Sequence, residues 1–289
     1  PYTRYMNPKE FQTLRDDSAG IFGGIGILVG IRDEQITIIS PIENTPGMRA
    51  GLMPGDHIVE IDGVSTEGMA VDGAVSMMRG EPGTKVTIVV ERRYPAGRFT
   101  VEIVRDIIDA PATRGYMVDK SSDIGYIELR TFSQKAGHDI ETEVLSLANQ
   151  GMKGLILDLR YNGGGLVTQA VEVASKFIPS GAVMHVQGRD GQKKTLYTAG
   201  RRVTDVPIVV LVNEYTASAS EIVSGALQDT KVATVVGVST FGKGLVQTLF
   251  PLSDGSGLAV TTQIYLTAGG REITPDAPLK PDVEVQALT

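Results

Sequence analysis

The chain contains no cysteine and only three histidines. The first absence excludes a thiol nucleophile, a cysteine-rich metal centre and a disulfide framework. It fits an oxidising compartment without requiring one. The scarcity of histidine leaves little material for a Ser-His-Asp triad. His57 falls in a small β-rich module, His138 opens a polar helix, and neither these nor His185 has the setting of a catalytic imidazole, so surface or satisfied structural roles are expected for all three. No apolar stretch approaches the roughly 20 residues of a membrane helix, and the opening PYTRYMNPKE lacks the organisation of a signal peptide. Against 34 Asp and Glu stand 27 Lys and Arg, a net charge of -7 with no long basic run, so an electrostatic footprint for nucleic acid is missing. The helix motif of metal proteases is absent as well, and neither a cofactor nor a metal is expected.

What is present is enough for a sizeable core: 289 residues, 42% of them hydrophobic, a length that sits better in two domains than in one. Gly23 to Ile31 (GGIGILVGI) and Gln35 to Ser40 read as strands joined by a turn at Arg32 to Glu34. A turn-rich stretch around a short helical piece follows, then a strand from His57 to Ile61 leading to an Asp62-Gly63 turn. Val71 to Met78 has a helical pattern, and Lys85 to Arg92 and Arg98 to Arg105 read as a closing hairpin, so this module ends near Ile108. From Gly115 onward strands alternate with helices: Ile124 to Leu129, helix Ala136 to Asn149, strand Gly154 to Leu159, a glycine loop, helix Leu166 to Phe177, then buried strands Pro207 to Val212 and Val232 to Val238 around a short helix at Ser220 to Leu227. That order predicts an α/β domain with parallel strands. Leu245 to Leu252 and Gly257 to Leu266 form a final strand pair. The sequence begins without an initiator methionine, which leaves room for an upstream segment with a signal or an anchor that could tether the protein to a membrane; a homo-oligomer stays open as well.

Serine is a weak nucleophile unless a base takes its proton, so a chemically useful serine should sit at an element boundary with a base in reach. Ser218, in NEYTASASE, lies where a buried strand gives way to a helix whose first-turn amides, including that of Ala219, could bind a developing oxyanion. Ser218 with Glu221 three residues on is also a capping-box pattern that needs no catalysis to account for it. Lys243 favours chemistry: it is the one charged residue between Lys231 and Asp254, set among Phe241, Gly242, Gly244, Leu245 and Val246. Burial lowers a lysine from its reference pKa of about 10.4 and so supplies the neutral amine a general base needs. A lysine snorkelling from an edge loop is the alternative. If a strand begins at Lys243, then 243, 245 and 247 share a face and Gln247 could hold the amine. LILDLRYNGGGL supplies successive glycines where backbone can approach a substrate, with Gly164 or Gly165 as a second oxyanion donor and Asp158 and Arg160 bracing the turn. GVSTFGKG resembles a phosphate-binding loop up to its lysine, but position 244 is Gly where Ser or Thr should bind magnesium, and a strand follows in place of a helix.

These segments resemble the C-terminal processing peptidases, also called tail-specific proteases, over nearly the whole chain. The likeness rests on PYTRYMNPKEF, GGIGI, SPIENTPGMRAGLMPGDHIVEIDG, MRGEPGTKV, LDLRYNGGG, VNEYTASASEIVSGAL, FGKGLVQ and YLTAGGREITPD. The resemblance implies an N-terminal segment over 1–20 that is the remnant of a helical region, a PDZ domain over 21–108 and a crotonase-like α/β serine peptidase domain over 109–289. It implies that Ser218 is the nucleophile, Lys243 its base and Gln247 the residue that orients the base, with Ala219, Gly164 and Gly165 around the oxyanion. The PDZ part is expected to capture a substrate's carboxyl terminus by strand addition, the amides of Gly24, Ile25, Gly26 and Ile27 binding the carboxylate. Apolar Ile25, Ile27, Val75 and Met78 would favour an apolar terminal side chain, so the expected partners are proteins or peptides with apolar carboxyl termini. Arg79 is a candidate for coupling tail capture to cleavage, and an ordinary solvated arginine is the alternative. Family likeness also implies an extracytoplasmic location. Tyr161 and Gly163 depart from the family's usual Asn and Pro, which implies a freer loop. Relatives on the same core include hydratases and a binding protein, so a non-catalytic PDZ-tethered binding protein and a hydratase acting on an acyl thioester stand as alternatives.

Overall fold

In a computed structural model of the chain, residues 2–119 and 122–285 are described. They divide into two units, one of Ile21–Ala110 and one that combines Pro1–Gly20 with Pro111–Thr289.

In the smaller unit an antiparallel sheet runs in the order Ile27–Arg32, Gln35–Pro41, His57–Ile61, Lys85–Arg93, Ala96–Val104, with Val64–Ser65 paired to His57–Ile61. Two consecutive residues take positive φ in each of two hairpin turns, Asp33 and Glu34 in one and Asp62 and Gly63 in the other. This is the φ signature of type I′ turns, whose twist matches that of the flanking strands. Alternate side chains point inward along Gln35–Pro41 and Lys85–Arg93, and an irregularity in His57–Ile61 brings both Ile58 and Ile61 to the core, so Ile36, Ile38, Ile58, Ile61, Ile88 and Val90 fill a core that the helix Val71–Met78 covers with Ala74 and Met78. Asp56 is buried and takes two hydrogen bonds from Arg92, at 2.7 and 2.8 Å, which pins the start of His57–Ile61 to Lys85–Arg93. The run expected as one strand from Gly23 breaks at Ile25 and Gly26: Ile21–Gly24 pairs instead with Asp106–Asp109, and the sheet strand starts at Ile27. Gly26 at φ 73 makes the break.

The larger unit has the expected α/β order. Its main sheet runs Thr113–Met117, Ile124–Leu129, Gly154–Asp158, Ile208–Val212, Ala233–Gly237, Val283–Glu284, parallel throughout except for the first pair. Helices Ala136–Asn149, Val167–Ser175 and Ala219–Asp229 make the crossovers that parallel strands require. A second, antiparallel sheet carries Arg4–Met6, Gly257–Thr267, Ala182–Gly188 and Lys193–Tyr197 in that order, and Leu245–Pro251 also pairs with Gly257–Thr267. The N-terminal residues therefore belong to this unit: Arg4–Met6 adds a strand, and Pro8–Ala19 is a helix opened by an Asn7–Glu10 capping box and closed by Gly20 in the left-handed conformation. Among the described residues no helix is long and apolar enough to cross a membrane, and no group of three or more His, Asp and Glu side chains is placed to hold a metal.

Three neighbouring parallel strands, Gly154–Asp158, Ile208–Val212 and Ala233–Gly237, end in register, with Asp158 opposite Leu211 and Val212 opposite Gly237. Their carboxyl ends release three loops side by side, the position where open α/β sheets bind ligands. The junction depends on Gly237, which has φ 138 and whose added Cβ would overlap the Val212 carbonyl oxygen. Gly237→Ala is therefore expected to lower stability by about 1–3 kcal/mol, read as a lower urea midpoint. An unchanged midpoint would mean the two strand ends have room to separate.

Candidate active site

The turn from Asn213 to Ser218 leaves the buried strand Ile208–Val212 and enters the helix Ala219–Asp229. Ser218 has φ 56 and ψ -115, a combination that only glycine adopts readily, and such residues typically cost about 1–3 kcal/mol unless their surroundings hold them. Here they do. Thr216 donates from Oγ1 to the Leu159 carbonyl at 2.9 Å and accepts from the Asn213 N–H, while the Ala217 N–H donates to the Asn162 carbonyl at 3.1 Å. The result half-exposes Ser218 at the head of the helix. Among the described residues the Ala219 N–H makes no hydrogen bond, as expected for the first helical residue.

Glu221, fully buried, organises the surroundings of that serine. Its Oε2 accepts from the N–H of Ser218 at 2.8 Å and from the N–H of Lys243 at 2.9 Å; its Oε1 accepts from the Gly242 N–H at 2.8 Å and from Thr240 Oγ1 at 2.5 Å. The capping partner that sequence spacing suggests thus also binds the loop carrying Lys243. Tyr265 stands over the same carboxylate, its hydroxyl 3.3 Å from the Ser218 carbonyl and 3.5 Å from Glu221 Oε2. Burial, and then the charge of Glu221, push the Tyr265 phenol well above its usual pKa, so it stays a neutral donor.

Lys243 is half-buried, between two glycines that let its loop press on the following chain: an added Cβ at Gly242 would overlap the Thr274 carbonyl, and one at Gly244 the Ile273 carbonyl. The ammonium lies 5.0 Å from the centre of the Tyr2 ring, a cation–π distance. No hydrogen bond joins Lys243 Nζ to Ser218 Oγ in this arrangement. The strand starts at Leu245 as expected, so the condition for a shared face, a strand that begins at Lys243, is not met, and a bulge between Val246 and Gln247 breaks the simple alternation of 243, 245 and 247. Gln247 Nε2 donates to the Tyr2 carbonyl, the residue whose ring underlies Lys243.

The glycine turn is held more firmly than the departures at 161 and 163 suggest. Asn162, 1% exposed, donates from Nδ2 to the Leu129 carbonyl at 2.7 Å and accepts at Oδ1 from the Gly164 N–H at 2.9 Å, and its carbonyl accepts from Ala217 N–H and from Ser220 Oγ. Gly164 approaches so closely that an added Cβ would lie 2.9 Å from Ser218 Cβ and from the Ala219 nitrogen. Its N–H is taken by Asn162, whereas the Gly165 N–H has no partner among the described residues. Asp158 grips Arg160 in a two-pronged ion pair, with 2.6 Å its shortest contact, and accepts from Tyr126 at 2.6 Å, bracing the turn as expected. His57 and His185 are bonded to Thr37 and Thr195 across sheet pairs, the structural role expected of them. Asn162, Thr216 and Tyr265 were not singled out from sequence; single polar residues at unremarkable spacing carry no signal of their own.

In the smaller unit Ile27–Arg32 is an edge strand, paired among the described residues only with Gln35–Pro41. Among the described residues the N–H groups of Ile25 and Gly26 have no partner, while Gly26 O accepts from Ile42 N–H and Thr45 Oγ1, both at 2.9 Å. Gly24 ends the strand paired with Asp106. Of the four apolar residues expected to line a tail pocket, Ile25 and Met78 are buried in the core, and Ile27 and Val75 are half-buried. Arg79 ends the helix Val71–Met78 with its guanidinium 4.4 Å from the centre of the Phe22 ring.

Comparison with known proteins adds a consistent set of likenesses. The pattern of peptidase family S41 matches residues 123–285, and that of a PDZ domain residues 37–92. The chain is 38% identical over 292 residues to the carboxy-terminal-processing protease of Bartonella bacilliformis, covering 99% of this chain and 66% of that protein. It is 37% identical over 287 residues to the carboxy-terminal processing protease CtpA of Bacillus subtilis, covering 99% of this chain and 61% of that protein. It therefore spans less than two thirds of the length of these relatives. Among solved structures, a photosystem II D1 C-terminal processing protease is similar with a TM-score of 0.62 and 31% identity, over 99% of this chain and 78% of that one.

Removing the buried carboxylate should show how much it carries. Glu221→Ala strands four donors, and a loss of more than about 3 kcal/mol is expected. Glu221→Gln, which keeps one acceptor oxygen, should lose less. Urea titration followed by fluorescence and far-ultraviolet circular dichroism reads both, and near-wild-type stability of Glu221→Ala would refute the clamp.

Proposed function

We propose, for a chain that belongs to peptidase family S41, that it is a serine endopeptidase cleaving near the carboxyl termini of protein substrates, with Ser218 as nucleophile and Lys243 as general base. The observation that carries this reading is the attachment of both residues' backbones to one buried oxygen, Glu221 Oε2. It holds the two main chains in fixed relation while leaving both side chains half-exposed.

Ser218 Oγ attacks the scissile carbonyl and passes its proton to Lys243 Nζ. Negative charge gathers on the carbonyl oxygen, where the unpaired N–H of Ala219 and the glycine turn can donate to it. Between the two glycines the free N–H of Gly165 favours that residue; Gly164 would first have to release Asn162. Lys243 returns the proton to the leaving amine, and the acyl-enzyme ester is then hydrolysed by water that gives its proton to Lys243 Nζ, which passes it to Ser218 Oγ as the ester bond breaks. Gln247 acts on the base through Tyr2, whose carbonyl it holds and whose ring underlies the ammonium. Lys243 must leave that ring to reach Ser218. Catalytic hydrogen bonds are often long before substrate arrives, so the gap between the two side chains agrees with the reading. It also gives the rival, a non-catalytic PDZ-tethered binding protein, its one supporting observation.

Tail capture is assigned to the open edge of Ile27–Arg32, with the free amides of Ile25 and Gly26 on the terminal carboxylate and Gly24 and Ile27 on either side. Ile27 and Val75 supply the apolar contact. Arg79 is the candidate regulator of cleavage by a bound tail. By likeness to processing proteases, one of them chloroplastic, the working location is outside the cytoplasm.

The first test compares cleavage of an unstructured protein with an apolar carboxyl terminus by wild type, Ser218→Ala and Lys243→Ala, with folding checked by circular dichroism. Loss of at least about 10³-fold in both folded variants is expected from removal of a nucleophile or its base; cleavage surviving Ser218→Ala would refute the nucleophile, and no cleavage by wild type would favour the binding protein. Peptides ending in Val or Ala should bind more tightly than the same peptide ending in Asp, measured by calorimetry, and equal affinities would remove the apolar tail site. Arg79→Ala should abolish stimulation by such a tail; unchanged stimulation would exclude Arg79 from the coupling.

A further inference from the structure

Each of the three loops at the strand ends carries an exposed aromatic side chain: Tyr161 is 74% exposed, Tyr215 57% and Phe241 49%. The Tyr161 and Tyr215 rings are stacked, 5.4 Å between centres with their planes 19° apart. One buried side chain sets both of them up. Asn213 Oδ1 accepts from the N–H of Tyr161 at 3.0 Å and from the N–H of Tyr215 at 3.2 Å, and Asn213 itself is 8% exposed. The N–H of Phe241 donates to the Thr216 carbonyl at 3.0 Å, which ties the third loop beside the second.

Tyr161 also has φ 62, in the left-handed region where a bulky residue is strained and glycine or asparagine is at ease. The turn itself has no need of the ring, and a ring so exposed adds little to the core. Strained residues that their surroundings hold in place cluster at ligand-binding sites. Distance supports the same conclusion. Tyr215 is three residues before Ser218, and Tyr161 three before Gly164, which lies against Ser218 Cβ; three residues span at most about 10 Å.

We infer that Tyr161 and Tyr215 form a preset aromatic platform that binds an apolar substrate side chain next to the scissile bond, making them specificity-determining residues. The platform rests on the acyl-transfer reading and deepens it: the apolar selection assigned to the smaller unit concerns the terminal residue, whereas this one concerns the residue beside the cut. A flat aromatic face takes aliphatic or aromatic side chains and offers nothing to a carboxylate.

The test begins by mapping the bond that the wild-type chain cuts in an unstructured polypeptide with a fixed apolar carboxyl terminus. Pairs of peptides are then made with Leu or Asp at each residue flanking that bond, and kcat/KM is measured for wild type, Tyr161→Gly, Tyr161→Asn, Tyr161→Phe and Tyr215→Ala. Gly and Asn suit the backbone at 161, so these variants remove the ring without straining the turn. Wild type should prefer Leu at one flanking position. The Leu-to-Asp ratio at that position should fall roughly tenfold in Tyr161→Gly, Tyr161→Asn and Tyr215→Ala, the scale of one lost apolar contact in a pocket, and Tyr161→Phe should keep it. Loss of rate on both peptides with an unchanged ratio would overturn the platform and leave the rings as braces for the turns. Wild type cutting no bond at all would overturn the acyl-transfer reading, and the platform with it.

Discussion

The arrangement at the candidate site depends on one carboxylate removed from water. Glu221 takes hydrogen bonds from the main chain at 218, 242 and 243 and from the Thr240 hydroxyl, so two loops that follow different strands share one set of bonds. A buried carboxylate without such donors would be expensive, and with them it becomes a rigid joint. Glycines on both sides of Lys243 are needed for the same reason, because the loop can reach the carboxylate only by lying tight against Ile273 and Thr274.

That joint works because the sheet delivers its parts in order. The strands Gly154–Asp158, Ile208–Val212 and Ala233–Gly237 are neighbours and parallel, so the glycine turn, the Ser218 turn and the Lys243 loop leave from one edge. Asn162 and Thr216 then tie the first loop to the second, as Glu221 ties the second to the third. The strained backbone of Ser218 persists because it is held from both sides. Asn213 does the same at Tyr161, where it also positions the ring of Tyr215. In the smaller unit the opposite condition holds: among the described residues the outer edge of Ile27–Arg32 pairs with no strand.

Much of this was legible from local pattern. The helices Val71–Met78 and Ala136–Asn149 and the strands His57–Ile61 and Ile124–Leu129 have the limits that their periodicity and turn residues indicate. Less legible were the strands Thr113–Met117, Ala182–Gly188 and Lys193–Tyr197, which have weak patterns and exist because neighbours pair with them. Glu221 was visible as a capping residue and invisible as the link to Lys243, since twenty-odd residues of helix, strand and loop intervene. Gln247 was placed by assuming an unbroken alternation that a bulge interrupts. Ile25 and Met78 were assigned to a tail pocket from their apolar character alone, which cannot tell a pocket wall from a core.

By itself the sequence determined the α/β order of the larger unit, the β-rich character of the smaller one, and the serine, lysine and glycine segments on which any chemistry must rest, because each of these is written in contiguous residues. Only the tertiary structure decided which donors share the Glu221 carboxylate, that Lys243 lies over Tyr2, and that Tyr161 stacks on Tyr215. Those are contacts between segments far apart in the chain, and their energies depend on burial and on angles that exist only once the three strand ends stand side by side.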